Sequence, residues 1–121
     1  MVVMCAAALA WAGGCSKDST SPSGPPSGGT TITITSAGVS PKTLTVSPGT
    51  RVTFVNNDTR NHEMDSDPHP EHIDCPEINQ IDLITPGQTK LTGNLNTIRT
   101  CGFHDHLNAF TGSLMGSIVI R

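Results

Sequence analysis

The run VSPKTLTVSPGTRVTFVN (residues 39–56) places Leu44, Val46, Val52 and Phe54 at alternate positions on either side of Ser47-Pro48-Gly49-Thr50. Period two is the signature of a strand with one buried face, and the Pro-Gly pair supplies the turn angles between two of them. The same pattern extends outward, through Thr31-Ile32-Thr33-Ile34-Thr35 before it and through Ile81 to Ile84 and Ser117 to Ile120 after it. Thr85-Pro86-Gly87-Gln88 repeats the turn chemistry. No segment carries a helical period over three turns. Short strands rich in Thr, Val and Ile, about ten residues apart, predict an all-β antiparallel sandwich or barrel of about six to eight strands.

With 121 residues the chain has room for one domain and a modest core. Residues 1–14 form an apolar run of export-signal length that ends in small residues before Cys15, too short to span a bilayer as a permanent helix. Ala12-Gly13-Gly14-Cys15 is similar to the lipobox of bacterial lipoproteins. The resemblance implies that Cys15 is lipidated and becomes the new N-terminus, although no Lys or Arg precedes the apolar run. Residues 15–30 are almost entirely Ser, Gly, Pro and Thr and read as a flexible tether. The folded domain is then residues 31–121, carried outside the cytoplasm at the cell envelope and held to a membrane through the anchor.

All five histidines fall between His62 and His106, in two clusters, each with one of the two cysteines of the folded domain. His62, His69, His72 and Cys75 lie in the first, and Cys101, His104 and His106 in the second. Imidazole and thiolate are ligands of copper and zinc, so the clustering predicts a metal site. From Asn56 to Asn79 the alternation is absent, and the segment reads as a long loop that requires a function. Glu63, Asp65, Asp67, Glu71, Asp74 and Glu77 give it most of the negative charge.

Residues 39–62, a strand, a Pro-Gly turn and a second strand ending in Asn before His62, resemble the first half of small blue-copper proteins of the plastocyanin and amicyanin type. Cys101-Gly-Phe-His104, followed by Leu114-Met115-Gly116 and an apolar strand, is similar to their ligand loop and closing strand. The resemblance to these cupredoxins covers residues 31–121. It implies a Greek-key sandwich in which His62, Cys101 and His104 hold copper, and a monomeric single-electron carrier that serves a redox partner protein. Leu114 stands where the family has its axial Met, which leaves Met64, Met115 and His106 as neighbours of the ion. His106, two residues beyond His104, faces the same side in extended chain and is expected as a fourth ligand or a close neighbour.

Two cysteines in an oxidising compartment also favour a disulfide. A Cys75–Cys101 bridge leaves an all-histidine site drawn from His62, His104, His106 and His69 or His72, suited to copper(II) or zinc(II) capture without a thiolate. Read alone, His69 and His72 are loop residues open to solvent. Nothing in the spacing marks an activated nucleophile, a phosphate-binding loop or a basic patch, so enzymatic activity and nucleic-acid binding are not expected.

Overall fold

A computed structural model describes residues 29–121. The expected signal, the lipidated Cys15 and most of the tether lie outside these residues. Nine strands are described: β1 (Thr31–Thr35), β2 (Gly38–Ser40), β3 (Thr43–Val46), β4 (Thr53–Asn56), β5 (His62–Ser66), β6 (Asp82–Ile84), β7 (Thr89–Leu91), β8 (Arg99–Asp105) and β9 (Gly116–Ile120). They form a four-stranded sheet in the order β2-β1-β4-β7 and a five-stranded sheet in the order β3-β9-β8-β5-β6. No helix among them is long and apolar enough to cross a membrane.

The sandwich is all-β, as the alternation predicts, but its sheets are mixed. β1 runs parallel to β4, and β3 parallel to β9, while the remaining neighbours are antiparallel. The parallel pairs arise because β2 and β3 carry the chain across from one sheet to the other before β4 returns to the first. Ile32 and Ile34 from β1, Phe54 from β4, Leu44 and Val46 from β3, Phe103 from β8 and Ile118 and Ile120 from β9 fill the space between the layers. Phe54 and Phe103 meet across it edge to face, with ring centroids 5.3 Å apart. The short turns behave as their residues require: Gly49 and Gly87 have φ of 89° and 79°, open to glycine without steric cost.

The expected loop between Asn56 and Asn79 is interrupted by β5, which runs antiparallel to both β6 and β8. Its register decides the geometry of the site. Met64 pairs with Asp105, and Asp65 with His104. Directly paired side chains share a face, and successive ones alternate. His62 and Met64 therefore face the core together with Cys101, Phe103 and Asp105, whereas Asp65 and His104 stand on the outer face.

Candidate metal centre

Beyond β5 the chain folds over this outer face. Asp67 N–H donates to the Gly102 carbonyl at 3.0 Å, and the loop closes on itself where Asp74 N–H donates to the Asp67 carbonyl at 2.9 Å. His72 has φ of 51°, in the left-handed region that few residues other than glycine adopt. Asn79 holds it there, donating to the His72 carbonyl while accepting from Ser66 N–H at the end of β5, both at 2.8 Å. Three residues on, Cys75 is joined to Cys101 by a disulfide.

This loop brings His69 and His72 against His104 at the end of β8 and His106 just after it. One donor nitrogen from each of the four lies within 4.8 Å of all the others. His72 Nε2 is 3.2 Å from His104 Nε2, 3.2 Å from His106 Nδ1 and 3.4 Å from His69 Nδ1. Carboxylates stand behind two of these rings: Asp67 Oδ1 lies 2.7 Å from His104 Nδ1, and Asp65 Oδ2 lies 3.3 Å from His72 Nδ1. A carboxylate draws the ring proton to the nitrogen it faces. For His104, whose Nδ1 hydrogen-bonds Asp67, this leaves a lone pair on Nε2 that points toward His72 Nε2 across 3.2 Å. Burial pushes the His72 pKa below its ordinary value, and the surrounding imidazoles add to this against the pull of Asp65, which keeps the ring in its ligating, neutral form.

Glu63 and Asp65 also approach His106, with one donor atom from each within 4.8 Å. On the opposite flank, an open cleft of about 320 Å³ is lined by Asp67, Pro68, His69, His104, Ala109, Phe110 and Met115. Phe110, 92% exposed, packs edge-on to His69 with centroids 5.9 Å apart.

The trigonal set of His62, Cys101 and His104 is not assembled. Cys101 faces the core and its sulfur is consumed in the bridge to Cys75. His62 is fully buried between two carboxylates, with Nδ1 2.8 Å from Asp105 Oδ2 and Nε2 3.0 Å from Asp58 Oδ2. A shared site would need the chain to bend between Cys101 and His104, but β8 runs continuously through both, so strand alternation sends them to opposite faces. Of the other expected neighbours, Met64 and Leu114 are in the core, and Met115 lines the cleft. His104 and His106 do meet, as their spacing predicts, and His69 and His72 join them instead of facing solvent alone.

The Asp58–His62–Asp105 chain supports the centre from behind. Asp105 Oδ1 accepts from Glu63 N–H and Leu107 N–H, and Oδ2 accepts from the Asn108 amide. It thereby fixes the turn between His104 and His106. Burial pushes the Asp105 pKa up, but the Glu63 N–H, the Asn108 amide and His62 outweigh it and hold the carboxyl below its ordinary value.

No family model matches the chain, and no curated protein matches it in sequence. Solved structures do resemble it. The purple cupredoxin of Nitrosopumilus maritimus superposes with a TM-score of 0.60 at 16% identity, covering 75% of this chain and 98% of that one. Oxidised plastocyanin from Dryopteris crassirhizoma gives 0.57 at 17% identity, covering 75% and 99%. An amicyanin variant described with Cu(I) gives 0.55 at 14% identity, covering 75% and 80%. The fold is that of the cupredoxins.

Proposed function

We propose that this protein is an exported copper-binding protein of cupredoxin fold that captures copper(II) with His69, His72, His104 and His106 in place of a thiolate centre. The observation that carries this reading is the convergence of one ring nitrogen from each of His69, His72, His104 and His106 around one point. Imidazole nitrogen suits copper(II), and Asp65 and Asp67 raise the basicity of the ligands they face. Two nearby carboxylates also balance a divalent charge. In this reading Cys15 carries the lipid anchor, the Ser/Gly/Pro tether lets the monomeric domain move near the membrane, and the acidic loop draws in cations.

Titration with copper(II), followed by paramagnetic resonance and visible absorption, tests it. One equivalent bound with nitrogen hyperfine structure and only weak ligand-field absorption is expected, and His72→Ala abolishes the tight equivalent. An intense thiolate-to-copper band, or unchanged binding by the variant, overturns the reading.

A second reading is favoured by the likeness to plastocyanin and amicyanin, whose solved forms are described as oxidised and reduced. It has the same imidazoles cycle copper between two oxidation states for a redox partner protein. Reversible voltammetry of the copper-loaded protein supports it. Loss of the metal on reduction leaves capture alone.

A further inference from the structure

We infer that the four-imidazole centre is a tetrahedral cage, and that zinc(II) competes there with copper(II) far more closely than at unconstrained nitrogen ligands. The inference rests on the reading that these imidazoles hold a metal, and it concerns which geometry they impose.

The distances from one corner carry it. Around His72 Nε2 the three other nitrogens stand at 3.2, 3.2 and 3.4 Å. With metal–nitrogen bonds of about 2.0–2.1 Å, a tetrahedron has edges of about 3.3–3.4 Å, all equal. A square plane with similar bonds instead gives two neighbours at about 2.9 Å and one at about 4.1 Å. The three near-equal distances match the first figure and leave no nitrogen in the trans position of the second. Zinc(II), a closed-shell ion with no d-electron geometric preference, accepts this arrangement directly, whereas copper(II) favours a tetragonal one.

The cage resists flattening. His104 is fixed on β8 and by Asp67, and His72 by Asn79 and by the disulfide three residues beyond it. With these two held, opening a trans position for copper(II) falls to His69 or His106, which must swing away from its neighbours. The Irving–Williams order, which places copper(II) above zinc(II), is then partly offset by the strain that copper(II) meets.

Three measurements on the purified protein decide between the outcomes. Cobalt(II), as a spectroscopic stand-in for zinc(II), is expected to give the strong visible absorption of a tetrahedral site. Copper(II) is expected to show a small parallel hyperfine splitting, as a flattened tetrahedron does, and zinc(II) to displace it at roughly 100-fold excess or less. A weak, octahedral cobalt spectrum together with square-planar copper parameters overturns the cage while leaving the imidazole site intact. If none of the three ions binds, the underlying metal reading fails with it. His106→Ala, at a half-exposed position where folding is least at risk, should weaken cobalt binding and shift the tetrahedral signal, because water then takes the fourth place; a signal and affinity unchanged by it also overturn the inference.

Discussion

His62 and His104 project from opposite faces of the same five-stranded sheet. The pairing of Met64 with Asp105 and of Asp65 with His104 makes this unavoidable, because His62 shares the face of Met64. Between the two imidazoles lies a sheet, and each has its own carboxylates. His62 is therefore a structural residue that braces Asp105 inside the core, and the metal reading concerns the outer face alone.

Removing the inner imidazole separates the two roles. His62→Ala leaves the buried Asp105 carboxylate without its ring partner, and losing one partner of a buried polar group costs about 1–3 kcal/mol. Urea unfolding should register the loss, while the folded fraction still binds one copper(II) with the wild-type resonance parameters. A change in the number of coordinated nitrogens would return His62 to the ligand set.

The disulfide and the metal should likewise come apart. Cys75 and Cys101 are 26 residues apart, and closing a loop of that length stabilises a fold by about 3–4 kcal/mol in the chain-entropy account. The double variant Cys75→Ala, Cys101→Ala is expected to lose roughly that amount and still to bind one copper(II) through nitrogen ligands alone, because neither sulfur faces the imidazoles. Disappearance of tight copper binding from a folded double variant would show that a sulfur takes part.

Acid should weaken the fold through Asp58. The Thr59 N–H, and with it His62 and Arg60, hold this carboxyl below its ordinary 3.8 against the opposing effect of burial. As pH falls, the unfolded chain takes up the proton first, so the stability present above the ordinary carboxylate range is lost as the folded carboxyl titrates. Denaturant midpoints measured from about pH 6 to pH 3 should decline, and Asp58→Asn should lower the plateau and flatten the decline. An unaltered slope in the variant would assign the acid sensitivity to other groups.

The parts of this architecture that are legible in the sequence are those whose buried face is apolar. β1, β3, β4 and β9 show Ile, Leu, Val or Phe at every second position, and each forms where the alternation lies. β5 has the same period, but its inward residues are His62, Met64 and Ser66 and its outward ones are Glu63 and Asp65, so only one apolar side chain marks it. β8 is masked in the same way by Gly102 and by Asp105, a buried carboxylate satisfied by hydrogen bonds that no local pattern announces. The meeting of His104 with His106 follows from their two-residue spacing. The recruitment of His69 and His72 does not, since it depends on the register of β5 against β8 and on Asn79, contacts made across the fold. A signal was nonetheless present: Cys75 three residues after His72 and Cys101 three before His104, so that one disulfide draws both histidine pairs together.

Gly102 offers a test of the support behind His104. It lies on the outer face of β8 under the Asp67 side chain, and a β-carbon placed there overlaps the carboxylate oxygen and comes within 3.0 Å of Asp67 Cγ. The carboxylate is part-exposed and free to swing, so Gly102→Ala should be accommodated by displacing it from His104 Nδ1, to which it now stands at 2.7 Å. Loss of such an outer partner lowers metal affinity by about 10–100-fold. Gly102→Ala and Asp67→Ala should each weaken copper(II) binding by an amount in that range, and the double variant should be no weaker than the more severe single one, because both remove the same bond. Competition titrations against a chelator of known strength measure all three. Effects that add in the double variant would mean that the glycine is needed for some other contact and that Asp67 alone does not orient the ring.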